Sequence, residues 1–201
     1  MSYLLHGSTS HTGMGWVDRI PRAGGNLYIG GLYALYQTDL IKAANITHVL
    51  SVVDYEPNLS PNEHLSGLEK MHVWAEDDPN EDLLKWFEKT TKFVREGLQG
   101  NGGVFVHCAM GKSRSAAVVV AFLMWEFGVG VEEGLRWVEE GRPVCEPNPG
   151  FKEQLRVWEK MLKEQDGVKR QDIYQAFEKN RFKGSAWEWE KRAEVEEKAR
   201  L

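Results

Sequence analysis

Residues 104–127 read V-F-V-H-C-A-M-G-K-S-R-S-A-A-V-V-V-A-F-L-M-W-E-F, and three kinds of local chemistry succeed one another along them. Val104, Phe105 and Val106 are β-branched or aromatic and follow a Gly-Asn-Gly-Gly turn at 100–103, which predicts a strand. The apolar run of residues 116–125 is too long for a strand and predicts a buried helix. Between the two, a short loop carries Cys108, Gly111 and Arg114. Its backbone N–H groups converge where the helix begins, at the positive end of the helix dipole, and such a strand, loop and helix make an anion site.

A thiol at that point is favoured as thiolate by the helix end and by the adjacent guanidinium, so Cys108 is a candidate nucleophile. Arg114 adds a planar fork suited to two oxygens of a phosphoryl group, which a lysine cannot match. Ser113 and Ser115 place hydroxyls at the helix start, one as its cap and one within reach of the sulfur. The chemistry assembled is phosphoryl transfer to sulfur. The alternative, a structural cysteine buried behind a strand, leaves the spaced glycine and the arginine without a purpose. His107-Cys108-x-x-Gly111-x-x-Arg114-Ser115 resembles the H-C-x-x-G-x-x-R-[S/T] signature of cysteine-dependent protein phosphatases.

Bulk properties narrow the field. A chain of 201 residues with 42% hydrophobic content suits one catalytic domain plus an appendage. A net charge of −5 argues against direct nucleic-acid binding, so phosphate affinity has to be local. Two cysteines exclude a disulfide framework or a Cys-rich zinc site within this chain and suit a reducing compartment. The longest apolar run falls short of the roughly 20 residues that span a bilayer, so a soluble protein without a membrane segment is expected.

Working outward from the loop, residues 1–25 read as a flexible N-terminal segment, with His6 and His11 as solvated tail residues. Strands are predicted at 26–31, 47–53 and 71–75, with a helix through about residue 44 after the first and a loop at 54–67 after the second. The acids at 76–81 are sorted by capping chemistry: Pro79 suits a first helical position, Asp78 its N-cap, and Glu81 the capping box, which leaves Glu76 and Asp77 free to face a site. That helix continues to about Gln99 through Leu83, Phe87, Val94 and Leu98. Strands alternating with helical crossovers imply an α/β domain at 26–165, a central mostly parallel sheet of four to five strands with helices on both faces. Ligands bind beyond the carboxyl ends of such strands, where the Asp77 and Cys108 loops begin.

Further on, helices are predicted at 131–140 and 151–164, with a proline-rich turn at 143–150 that carries Cys145, read as inert core. Residues 166–201 form a helical extension. Its Glu/Lys-dense end reads as a solvated face, except that Trp187 and Trp189 are costly to leave in water, so docking is the expectation for them.

The resemblance extends past the signature. Residues 75–84, A-x-D-x-P-x-x-D-L-L, and 147–155, P-N-x-G-F-x-x-Q-L, are similar to dual-specificity phosphatases, the former to the subgroup of dual-specificity phosphatase twelve. Ile173, Tyr174, Gln175 and Arg181 resemble a segment that follows the catalytic domain there. The resemblance implies a tyrosine-phosphatase-like fold, no metal or cofactor, and phosphorylated proteins as substrates, on tyrosine and on serine or threonine. It assigns Cys108 as nucleophile, Arg114 as phosphate clamp, Asp77 as general acid and Ser115 as helper to the thiolate. Ala109, Met110, Gly111, Lys112 and Ser113 form the phosphate-binding loop, with His107 and Asn148 in support. It also implies the cytoplasm and the nucleus as location, and a pre-ribosomal particle as a partner. The subgroup's C-terminal zinc domain is missing from these 201 residues, which is read as a shorter member or a truncated chain. Met110 and Lys112 depart from the commoner alanine and aliphatic residue. Lys112 keeps a phosphoinositide substrate as an alternative, and a phosphoprotein-binding scaffold in ribosome assembly is the other.

Overall fold

The computed structural model describes residues 13–57, 63–100 and 102–198. Five strands, β1 Val17–Arg19, β2 Leu27–Gly31, β3 Ile46–Val52, β4 Glu69–Val73 and β5 Gly103–Cys108, form one sheet in the order β1-β2-β5-β3-β4. β1 lies antiparallel to β2, and the other pairings are parallel. This is the mostly parallel sheet that the alternation of elements predicts.

β5 is the central strand, and all six of its residues are buried, as a strand covered on both faces requires. Its alternation sorts the core into two layers. Val104, Val106 and Cys108 join Leu27, Ile29, Leu50 and Val52 on one face, whereas Phe105 joins Tyr28 and Val49 on the other. The first face is covered by α2 Leu84–Gln99, α3 Arg114–Phe127, α4 Val131–Gly141 and α5 Pro149–Lys163. A 3-10 helix at Leu32–Tyr36 and α1 Thr38–Ala43 cover the second through Leu35, Leu40 and Ile41. α3 is the axis of the thicker layer, with residues 114–124 all buried and α2, α4 and α5 packed around it. It stops at Gly128, whose φ of +68° lets its N–H turn back to the Met124 carbonyl.

Segment 1–25 does not stay a flexible leader throughout. Residues 1–12, with His6 and His11, lie outside the described residues, but Val17, Ile20 and Ala23 are buried and β1 completes the sheet edge. A three-residue strand carries too little alternation to show as a pattern.

The helix expected from Pro79 opens at Leu84 instead. Residues 78–81 form a turn closed by the Glu81 N–H to the Asp78 carbonyl at 3.0 Å, and the Asp78 carboxylate accepts from the Asn80 N–H at 2.7 Å. Asp82 Oδ1 accepts from the Lys85 N–H at 3.3 Å, and the shorter capping bonds of α2 come from α5: Gln154 Oε1 accepts from the N–H groups of Leu83 and Leu84, both at 2.8 Å, and its Nε2 donates to the Glu81 carbonyl at 2.7 Å.

Beyond α5, Asp166 caps α6 Gly167–Asn180 by accepting from the N–H groups of Val168 and Lys169, and α7 Ala186–Lys198 follows. The two tryptophans part company: Trp189 is 4% exposed and Trp187 is 63% exposed, its ring under Lys191.

Candidate active site

Cys108 ends β5 beside Gly31 of β2, and the chain then turns through residues 109–113 into α3. Each carbonyl from Ala109 to Lys112 is engaged by a surrounding element. Ala109 accepts from the Leu32 N–H at 3.1 Å, Met110 from Arg142 Nη2 at 3.2 Å, Gly111 from Arg142 Nε at 2.8 Å, and Lys112 from the Glu146 N–H at 2.9 Å. Because C=O and N–H point oppositely across a peptide plane, this turns the N–H groups toward the interior of the loop. The Gly111 N–H points at Cys108 Sγ at 3.2 Å. Gly111 itself has φ +69°, and a Cβ there would lie 2.3 Å from the Gly30 carbonyl carbon, so only glycine fits.

Cys108 is 1% exposed, and the Ser115 hydroxyl donates to its sulfur at 3.3 Å. Ser113, read from sequence as the helix cap, makes no capping bond. Its hydroxyl donates to Asp77 Oδ1 at 2.6 Å and accepts from the Asn148 N–H at 3.1 Å. Asn148 Nδ2 donates to the same Asp77 oxygen at 3.0 Å, while its Oδ1 caps α5 through the Phe151 N–H at 2.9 Å. The Asp77 carboxylate is thereby fixed to the loop that follows Cys108, although the two residues are far apart in sequence.

Arg114 Nη1 donates to Asp54 Oδ1 at 3.1 Å and to the Ala75 carbonyl at 3.0 Å. Its Nε is buried and has no partner among the described residues. A buried donor left unpaired costs about 1–3 kcal/mol, so an incoming anion is a favourable partner for it.

His107 is fully buried, with Nε2 at 2.7 Å from Ser51 Oγ on β3 and Nδ1 at 3.2 Å from the Cys108 carbonyl. A carbonyl only accepts, so Nδ1 carries the proton and Nε2 accepts from Ser51. Burial pushes the imidazole down to about 4, which keeps it neutral. Its ring stacks on Phe105 at 5.7 Å and holds the strand end rigid. Cys145 is also buried; desolvation pushes its thiol up to about 12, and its S–H donates to the Gly111 carbonyl at 3.6 Å.

Sequence reasoning missed Arg142. This side chain is 0% exposed, pairs with Asp18 Oδ2 at 2.5 Å and reaches the Gly13 carbonyl at 3.0 Å besides its two bonds to the loop. Nothing periodic marks an arginine in a Gly-Arg-Pro turn. Asp54 was passed over as loop, yet its place just past the carboxyl end of a strand could have flagged it.

The described residues hold no group of three or more His, Cys, Asp or Glu able to bind a metal. The arrangement can take a tetrahedral oxyanion on the loop amides and Arg114, with a sulfur below it and a carboxylate beside it. Residues 27–161 match the family model of the dual-specificity phosphatase catalytic domain. The chain is 35% identical to dual specificity protein phosphatase 1B of Arabidopsis thaliana, across 68% of this chain and 79% of that protein. It is also 35% identical to dual specificity phosphatase 28 of Mus musculus, across 73% and 88%. Other curated relatives are longer, and the chain spans as little as 21% of one. Among solved structures, the Yvh1 phosphatase domain of Chaetomium thermophilum matches with a TM-score of 0.69 and 33% identity, across 75% of this chain and 99% of that one.

Proposed function

The chain belongs to the dual-specificity phosphatase family, and from that premise we propose that it dephosphorylates both tyrosine and serine or threonine in proteins through a cysteinyl phosphate on Cys108. Cys108 Sγ attacks phosphorus as the P–O bond to the substrate breaks, and Asp77 gives its proton to the departing oxygen. The loop amides and Arg114 hold the equatorial oxygens as charge builds on them. Water then attacks the phosphoenzyme and gives its proton to Asp77; the S–P bond breaks and inorganic phosphate leaves. The Ser115 hydroxyl, bonded to the sulfur, stabilises the thiolate released.

The observation that carries this reading is the buried Nε of Arg114, without a partner among the described residues, beside a loop whose carbonyls from Ala109 to Lys112 are engaged by other elements. Dual specificity is supported by an open rim: Asp77 is exposed and Met110, at the loop tip, is 44% exposed, so a short phosphoserine can reach the sulfur as well as a phosphotyrosine. Neither a lipid substrate nor a non-catalytic scaffold is favoured by the comparisons. Cys108→Ser abolishes turnover on a matched panel of phosphopeptides while the protein still binds them; substantial residual hydrolysis, or activity on phosphotyrosine alone, would overturn the corresponding half of the proposal. Membership of the phosphatase-twelve subgroup, a pre-ribosomal partner, and residence in cytoplasm and nucleus rest on the sequence resemblance, and cell fractionation with co-sedimentation on large-subunit precursors tests the last two.

A further inference from the structure

The C-terminal extension closes on the same turn that Asp77 leads into. Asn80 is the centre of the contact: its Oδ1 accepts from the Gly184 N–H at 2.9 Å and from the indole Nε1–H of Trp189 at 3.0 Å, and its Nδ2 donates to the Gly184 carbonyl at 2.9 Å. Arg181 Nη1 donates to the Asn80 carbonyl at 3.0 Å. Two residues further on, Asp82 Oδ2 accepts from the Tyr174 hydroxyl at 2.8 Å. The extension is itself braced there. Trp189 meets Phe182 edge-on at 4.9 Å, and Arg192 covers both rings while pairing with Glu153 of α5 at 3.6 Å.

A solvated charged helix has no need of this arrangement. Apart from Tyr174 and Phe177, which rest against the main core, α6 lies on the surface, and Trp189 is the buried anchor of α7. The turn, for its part, is tied at one end by Asp77 to Ser113 and Asn148, and at the other by Gln154. Its middle is held by Asn80. All the hydrogen-bonding groups of that residue are in use, its N–H by Asp78 and the rest by the extension.

We propose that the extension positions the general-acid loop, with Asn80 and Trp189 as positioning residues that hold the 78–81 turn, and through it the Asp77 carboxylate, in line with Cys108. This rests on Asp77 as the proton donor. Misplacing a catalytic group by about 1 Å costs up to roughly 10²-fold, so loosening one of three tethers is expected to cost about tenfold in the step that needs the proton.

The test uses the full chain and the ratio of kcat on a phosphotyrosine peptide, a poor leaving group, to kcat on p-nitrophenyl phosphate, an activated one. Asn80→Ala lowers the ratio about tenfold, and Trp189→Phe, which keeps an aromatic ring but removes the indole donor and part of the buried ring volume, lowers it about threefold. Asn80→Asp keeps the two acceptor contacts but sets a carboxylate oxygen against the Gly184 carbonyl to which Nδ2 donates, so it too lowers the ratio, by at least about threefold. In an Asp77→Asn background, Asn80→Ala lowers the ratio no further. If Asp77→Asn alone leaves the ratio unchanged, the general-acid reading is wrong and this inference falls with it. If Asp77→Asn lowers it but Asn80→Ala and Trp189→Phe do not, or depress both substrates equally, the general acid stands and the positioning role is refuted.

Discussion

Replacing Arg142 by methionine removes a guanidinium that lies wholly inside the protein, where it pairs with Asp18 and holds the carbonyls of Met110 and Gly111. Side chains of this pair have no solvent exposure, so in the variant the Asp18 carboxylate stays buried and loses the guanidinium it pairs with. Breaking a buried pair from one side costs about 3–5 kcal/mol, which for a domain of this size lowers Tm by roughly 10 °C. The Met110 carbonyl also loses its donor and the Gly111 carbonyl keeps only the weak Cys145 S–H, so both are loosened beside the anion site, where a carbonyl opposes a phosphoryl group; kcat/KM is expected to fall about 10²-fold at a temperature where the variant is still folded. Adding Asp18→Val removes the buried carboxylate as well. The double variant therefore regains at least half of the lost stability, as apolar replacement of buried pairs does, but not the activity, because the guanidinium bonds to the loop are still missing. Scanning calorimetry with steady-state kinetics on wild type and the three variants checks this. A single Arg142→Met variant that melts within about 2 °C of wild type, or a double variant no more stable than the single, would refute the reasoning.

At the acid loop, Asp77→Asn loses about 10²–10⁴-fold on phosphopeptides, whereas Asp78→Asn, whose side chain closes a turn that asparagine closes equally well, stays within a few-fold; kcat measurements that reverse this order reject the assignment. His107 binds no proton in the folded protein until pH nears 4, while an unfolded imidazole takes one up near 6.5. Between those values the unfolded state binds more protons, so the contribution is whole above about 6.5 and is lost as pH falls toward 4, a change on the order of 3 kcal/mol. Urea unfolding of wild type and His107→Asn across this window is expected to show a shallower pH dependence in the variant.

What could be read from the sequence was whatever is written in consecutive residues. Residues 104–127 carry strand, loop and helix in one stretch, so the central strand, the anion loop, Cys108 and Arg114 were legible at once. The helix start at Leu84 was not, because Asp78, Pro79 and Glu81 spell a plausible local cap, whereas the shorter capping bonds come from Gln154 on another helix. Arg142 and Asp18 were invisible for the same reason, each taking its meaning from a partner 124 residues away. Ser113 was seen as a site residue but given the wrong bond, since its partner Asp77 belongs to a different loop. The docking of the extension was half legible: two tryptophans among charges signal a cost, but nothing along the chain tells Trp189, which is buried, from Trp187, which is not.

The borrowed cap on α2 has a consequence for how the chain comes together. The N–H groups of Leu83 and Leu84 find their acceptor only when α5 is in place, so on a nascent chain the first turn of the long crossover helix has only the long local bond from the Lys85 N–H to Asp82 until residue 154 has emerged and docked. Since that turn also finishes the loop bearing Asp77, the cysteine strand can be in place on a growing chain before the carboxylate proposed as proton donor is. Competence for the full reaction is therefore a late event of folding, separate from the formation of the sheet.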